Sequence, residues 1–401
     1  MKRSFVKFCF LACIPLFNVA CSRPEKLSGN EFLIEGRISG VEDGIVINLT
    51  RWDDNTGMTI ASDTLRNGRF ILKEEAESDT ERLTIVAYGD GFPPMFLYVW
   101  VAPKAKIKIN GEGKLHPLWK VKSSISYQKE ENRYKNTSRD IITDDARNSI
   151  ERNDVFSKLM AASSREEALP YRKIIDSLDR ITDVLSIKKF FADLDIMEKT
   201  DISPIGLDKM KLISIYLKPS YADKEYYSEL RKRAEAFYGR MSEKDKTTPL
   251  GYRITANLFP PHLVGVGDDF ADADLIDIDG NTKHISDYLD KYLLLDFWSI
   301  GCGPCIAALP EMKEISETYI EKLIIISISL DTEAKWKYAM SMHDMPWVTI
   351  RDPKSYGGLA ANYGVTGIPN YVMISPEGKV VDKWMGYGEG YLKMKVGENI
   401  E

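Results

Sequence analysis

Thiol and imidazole groups are scarce in this chain, with five cysteines and four histidines among 401 residues. The histidines (His116, His262, His284 and His343) are scattered without ligand spacing. Beyond residue 21 the only cysteines are Cys302 and Cys305, and with no second pair a zinc tetrahedron cannot be completed. An exported protein stapled by disulfides would keep more of them. Long apolar runs are also missing: Phe8 to Val19 covers about 12 residues, against roughly 20 for a bilayer span. Basic stretches are absent too. The net charge of −6 becomes −9 once Lys2, Arg3 and Lys7 are set aside, which argues against nucleic acid and anionic lipid surfaces as partners.

What is present begins with an export signal over residues 1–20, a basic start followed by the short apolar run. Ala20-Cys21 resembles a bacterial lipobox, although Asn18 stands where that pattern has Leu, and it implies that Cys21 is the lipidated first residue of the mature chain. The alternative is a plain cleaved signal with an incidental Cys21. Phe10-Leu-Ala-Cys13 would be a rival box, but too little apolar chain precedes it. Cys9 and Cys13 leave with the signal, so Cys302 and Cys305 remain as the working thiols.

The length predicts several domains. Residues 27–115 read as an antiparallel β-sandwich: alternating runs such as Phe32–Ile38, Ile45–Leu49, Arg69–Leu72, Leu83–Tyr88, Phe96–Val101 and Lys106–Ile109 recur at about ten-residue spacing. Glu42-Asp-Gly44, Arg66-Asn-Gly68 and Asn110-Gly111 supply the turns. Residues 120–258 read as a helical connecting region, with no glycine from Lys114 to Ile205. Two stripes mark its helices: Ile174, Leu178, Ile181, Leu185, and Tyr227, Leu230, Ala234, Phe237, Met241. These faces pack on their neighbours, or else bind a partner.

Phe259-Pro260-Pro261 breaks the chain before an α/β module over residues 262–401. A hairpin around Asp279-Gly280-Asn281 opens it. A calcium loop there fails, because aligning Gly280 as its sixth residue puts Leu275 and Ser286 at the first and twelfth positions. Strand Tyr292–Trp298, helix 303–319, strand Leu323–Ser329, helix Glu333–Met342, a short helix near 355–363 and strands Asn370–Ile374 and Val380–Trp384 follow. Helices between strands imply parallel pairing, closed by an antiparallel edge.

The chemistry concentrates at Cys302-Gly303-Pro304-Cys305, directly after a buried strand. At a helix start, unpaired backbone N–H groups and the helix dipole favour thiolate, making Cys302 the nucleophile. Cys305, one turn on, can resolve a mixed disulfide. Pro304 suits the first turn, where its missing N–H costs nothing, and Gly303 clears the approach to the sulfurs. Asp296 lies inside the apolar strand. A buried carboxyl has a raised pKa and can take the proton from Cys305, or it simply bonds to backbone at a strand end. Asp331 is expected to N-cap the helix at Glu333.

Asp296-Phe-Trp298, Cys302-Gly-Pro-Cys305, Pro310 and Gly367-Ile-Pro369-Asn together resemble the TlpA/ResA-type thioredoxin-fold thiol–disulfide oxidoreductases of the AhpC/TSA–thioredoxin superfamily. The β-rich segment resembles the domain of unknown function that often precedes such modules in exported bacterial proteins. The resemblance implies a cis Ile368–Pro369 bond that turns the Ile368 backbone toward the thiols, where an extended substrate can pair with it. It also implies that Trp298 packs beneath the active site, that Asp296 serves as the proton relay, and that Gly-Pro sets a reducing couple, about −270 mV in thioredoxin. Gly301 replaces the family's usual Trp, widening access to Cys302.

These readings make the chain a periplasmic reductase of protein disulfides, tethered by lipid, with the outer membrane as the expected site. Electrons would come from a membrane thiol reductase. No flavin or nicotinamide fingerprint occurs, so no cofactor is expected. A thiol peroxidase is a weaker fit, since Leu295 stands where that site has proline. A surface-binding scaffold with an accessory redox module is the non-enzymatic alternative.

Overall fold

The computed structural model describes residues 27–53 and 56–400. The expected export signal over residues 1–20 and the expected lipidation site at Cys21 lie outside the described residues. The first layer pair is built from β1 (Glu31–Ser39), β2 (Val46–Asp53), β3 (Thr56–Thr64), β4 (Arg69–Glu75), β5 (Glu81–Tyr88), β6 (Leu97–Val101), β7 (Lys106–Glu112) and β8 (Lys120–Lys122). Inward side chains of both sheets, among them Ile34, Leu49, Phe70, Ile85, Val99 and Ile107, share one apolar core. Asn67 and Gly68 both have positive φ (50° and 65°) between the reciprocally bonded Arg66 and Arg69, the geometry Asn-Gly favours in a two-residue hairpin.

The sandwich is not wholly antiparallel. One sheet runs β3-β2-β5-β6 with every pair antiparallel, but in the other, β4-β1-β7-β8, the central pair β1·β7 is parallel. Alternation requires Ile34 and Ile38 to share a face with Ile107 and Ile109. It does not dictate the direction in which β7 returns. β3 escaped the sequence reading because it carries little apolar surface, with Met58 largely exposed.

Seven helices follow: α1 (Ser126–Thr137), α2 (Arg139–Ala161), α3 (Arg165–Met197), α4 (Pro204–Ile215), α5 (Tyr227–Arg240), α6 (Glu243–Lys246) and α7 (Pro249–Leu258). Trp100 of β6 joins the two regions. Its backbone N–H donates to Gln128 Oε1 (2.8 Å), and its ring lies 4.8 Å from that of Tyr127. The Leu230–Met241 stripe of α5 is buried. On α3 the expected stripe is rotated: Leu178 and Leu185 are buried, but Ile174 and Ile181 are 41% and 45% exposed, and Ile175 points inward instead. The reason is α2, whose Val155 packs on Ile175 and Leu178 while Asn148 Nδ2 donates to Leu178 O (2.9 Å).

The last region contains β9 (Leu275–Ile276), β10 (Thr282–Lys283), β11 (Tyr292–Trp298), α8 (Gly303–Thr318), β12 (Leu323–Ser329), α9 (Glu333–Met342), β13 (Val348–Arg351), α10 (Leu359–Asn362), β14 (Asn370–Ile374), β15 (Val380–Met385) and α11 (Tyr391–Ile400). Its sheet order is β10-β9-β13-β12-β11-β14-β15, with β11, β12 and β13 parallel and β14 and β15 antiparallel. β11 is therefore an interior strand, paired on both edges, with buried side chains on both faces. β13 and α11 were not anticipated, the first being only four residues long.

Helix α7 seats directly on this module. A Cβ on Gly357 would lie 2.3 Å from the carbonyl carbon of Tyr252, so backbone meets backbone there. The Arg253 guanidinium sits 4.5 Å from the Tyr356 ring centroid, and Lys354 Nζ 5.6 Å from that of Tyr252. Gly357→Ala should wedge the two apart, costing about 1–3 kcal/mol of stability as overpacked sites do. Urea denaturation, with limited proteolysis of the 259–263 linker as a second readout, checks this. An unchanged midpoint and an equally resistant linker would refute the tight seat.

Candidate active site

At the carboxyl end of β11 the chain makes a tight turn, Cys302 N–H donating to Ser299 O (3.1 Å), and enters α8. Cys302 is the N-cap of that helix, with its Sγ accepting from the Cys305 N–H at 3.2 Å. Pro304 falls in the first turn, where no intrahelical donor is needed. Cys302 and Cys305 are joined as a disulfide with Cα atoms 5.2 Å apart. Cys302 is half-buried and Cys305 only 3% exposed, so a visiting group meets Cys302 first. A Cβ added at Gly303 would meet nothing within 4 Å, leaving the mouth of the helix open.

The pair rests on an apolar cluster. Trp298, Cys305, Trp336 and Ala339 are its buried members, and Ile300, Cys302, Met340, Met345 and Ile368 pack around them. This brings Ile368, whose bond to Pro369 is cis, beside the thiol pair. Trp298 is buried under it as expected. The sequence marks Trp336 only as a core or surface aromatic and does not single out Met340, although both lie on one face of α9, one turn apart, a spacing that would have marked them. The indole N–H groups of Trp298 and Trp336 are buried without a hydrogen-bond partner among the described residues.

Asp331 does not cap α9. The N-cap is Thr332, which makes no side-chain cap bond. Asp331 is instead buried, and its Oδ2 accepts from the Ile300 N–H (2.8 Å) and the Ser329 hydroxyl (3.3 Å). A buried carboxylate needs donors, and the loop before Cys302 supplies one. Asp331 thus fastens the segment that presents the first sulfur.

Asp296 sits on β11 between Leu294, which packs with Ala308 and Met312 of α8, and Trp298, which packs with Cys305. Alternation along a strand puts all three on one face, so the Asp296 carboxyl lies beneath the first turns of α8. It is 2% exposed. Ser327 Oγ of β12 donates to Asp296 Oδ2 (2.8 Å) and accepts in turn from the Trp347 indole N–H (2.9 Å). Burial dominates this balance and pushes the Asp296 carboxyl up to about 7, while the Ser327 bond pulls the other way.

The C-terminal region is also similar to known proteins. Residues 266–383 match the AhpC/TSA family model. The thiol–disulfide oxidoreductase ResA of Bacillus cereus is 31% identical over 124 residues, 29% of this chain and 70% of that one. The chain belongs to the AhpC/TSA family through its C-terminal region. The thioredoxin-like protein YneN of Bacillus subtilis is 24% identical over 124 residues, 30% of this chain and 71% of its own. Among solved structures, the thioredoxin domain of a thiol–disulfide oxidoreductase from Bacteroides vulgatus shares 26% identity, covering 34% of this chain and 99% of that one, with a TM-score of 0.31. The exposed lipoprotein thioredoxin of Streptococcus pneumoniae shares 29% identity over 32% of this chain and 99% of its own, with a TM-score of 0.29.

The AhpC/TSA module is thus a thioredoxin-fold thiol–disulfide oxidoreductase of the ResA type. Its dry carboxyl makes stability depend on pH. With the Asp296 pKa raised from 3.8 to about 7, the folded state holds a proton that the unfolded chain releases. The stabilising contribution is fully present below 3.8 and is lost as pH rises through about 7. Urea titrations at pH 5 and pH 8 should show the native protein weaker at pH 8 by a few kcal/mol from this group. Asp296→Asn should flatten that slope. A slope unchanged by the substitution would place the buried proton elsewhere.

Proposed function

We propose that Cys302-Gly303-Pro304-Cys305 exchanges disulfides with protein substrates, working as a reductase. The observation that carries this reading is a half-exposed Cys302 bonded to a sheltered Cys305 above a buried carboxyl. In the reduced protein, the Cys305 N–H and the helix dipole stabilise a Cys302 thiolate. That thiolate attacks one sulfur of the client disulfide. The client S–S bond breaks, a mixed disulfide forms, and the departing client thiolate takes up a proton. Cys305 then gives its proton to Asp296 and attacks Cys302 Sγ. The Cys302–Cys305 disulfide forms, and the second client sulfur leaves as thiolate, taking the proton from Asp296. Two electrons pass from the protein dithiol to the client.

Ile368 and Pro369 bound the mouth of the site, where an extended client segment would pair with the Ile368 backbone. Gly303 keeps that approach open, and Trp298 supports Cys305 from below. We place the protein in the periplasm, anchored through lipid on Cys21 and facing in from the outer membrane. A membrane thiol reductase would return it to the dithiol state without a bound cofactor.

Reduction of insulin disulfides tests the reading. Cys302→Ser should abolish activity, and Cys305→Ser should accumulate client mixed disulfides on Cys302. Asp296→Asn should slow turnover on the order of a hundredfold and remove the pH–rate limb near 7. An unaltered rate in Cys302→Ser would end the proposal.

A further inference from the structure

The outer face of the β4-β1-β7-β8 sheet collects positive charge from four separate strands. Pairing across the sheet lines up two rows of outward side chains: Ile71, Glu35, Lys108 and Lys122 in one, Arg69, Arg37, Asn110 and Lys120 in the other. All of them are exposed, whereas the residues between them, among them Phe70, Ile107, Ile109 and Val121, are buried in the sandwich core. We infer that this face rests on an anionic membrane surface, its arginines and lysines meeting the phosphates of lipid headgroups. The inference rests on the lipid anchor at Cys21 proposed above and adds the orientation that the anchored chain takes.

Availability comes first. None of Arg37, Arg69, Lys108, Lys120 and Lys122 is in an ion pair or side-chain hydrogen bond with another described residue. The rows hold a single carboxylate, that of Glu35, against these five cations. Farther along the sheet, Lys73 pairs with Glu31 (3.2 Å), so a cation on this face with an acid in reach does use it. Arg37 stands directly opposite Arg69, and Lys108 opposite Lys122. Like charges so placed destabilise a sheet, and anions laid across the rows relieve the repulsion.

Shape and reach choose the partner. The rows lie about 7 Å apart and cross strands spaced about 4.8 Å, a broad patch rather than a deep site. No aromatic ring stands in either row, so bases have nothing to stack on. Ile71, 58% exposed, offers apolar surface among the cations, a combination suited to the headgroup boundary. Cys21 precedes Glu31 of β1 by ten residues, which span at most about 36 Å, so an anchored chain keeps this sheet within that distance of the bilayer. The acidic remainder of the chain does not cancel the attraction, because exposed charges beyond about 8 Å are screened at physiological salt. These cations alternate with core residues on strands remote in sequence, which is how a net charge of −6 conceals the face.

The test uses the chain from Cys21 to Glu401, unacylated so that lipid on Cys21 does not contribute. It should co-sediment with vesicles of equal parts phosphatidylglycerol and phosphatidylcholine, not with phosphatidylcholine alone, and about 0.5 M NaCl should release it. Lys108→Gln with Lys122→Gln should weaken partition about 25-fold, on the order of fivefold for each cation. Arg37→Gln with Arg69→Gln, an independent pair, should do the same, while Arg172→Gln with Lys173→Gln on α3 should leave partition unchanged. Equal partition onto both vesicle types, or binding that survives both substituted pairs, would overturn the inference. Tighter binding to soluble polyglutamate or duplex DNA than to the anionic vesicles would overturn it too. Palmitate labelling in cells reads the anchor separately: a Cys21 that takes no label would end the anchor reading, and loss of vesicle binding alone would end only this one.

Discussion

The dryness of β11 is the constraint from which the rest of the C-terminal region follows. A strand with partners on both edges and apolar clusters on both faces excludes water along its whole length. Placing one carboxyl group, Asp296, in that strand costs several kcal/mol if it is charged. The neutral form is favoured instead, and the single Ser327 donor offsets only part of the burial. The same burial that would make an isolated charge a defect yields a proton acceptor poised near neutrality. Without the helices and the strands β12 and β14 around it, this carboxyl would be an ordinary acid.

The thiol pair uses the opposite environment six residues further along the chain. Where β11 ends, backbone donors are unpaired and the start of α8 carries partial positive charge. Cys302 takes the position an Asn or Ser would hold as N-cap, and its sulfur accepts the Cys305 N–H. One strand-to-helix junction thus contains a site that favours an anion and, behind it, a site that disfavours one. Asp331 stabilises the junction by holding the Ile300 N–H, and Trp336 and Met340 wall it from α9.

Much of this was legible in the chain. Strand Tyr292–Trp298, helix Glu333–Met342 and the two edge strands followed from apolar runs and turn residues, and Asp296 was marked by its place inside an apolar strand six residues before Cys302. What the sequence could not convey was pairing and phase. The parallel β1·β7 contact, the rotation of α3 onto Ile175 and the diversion of Asp331 from cap to loop tie each depend on a neighbour remote in sequence. Local pattern allows each alternative at similar cost, and the tertiary contact selects one. Ser327 went unnoticed, and Trp347 read only as a core or surface aromatic, for a similar reason: a serine in an apolar strand shows its purpose only when the acid across the ladder is known.

Remote contacts also decide how the redox module is carried. Domains joined only by a flexible linker turn independently, whereas a packed interface makes them move together. Backbone contact at Gly357, with Arg253 over Tyr356 and Lys354 near Tyr252, packs α7 against the module. The sandwich in turn is tied to the helices through Trp100, Gln128 and Tyr127. The chain of contacts from β6 to the module is therefore continuous, and a surface that holds the sandwich also sets the direction in which Cys302 faces.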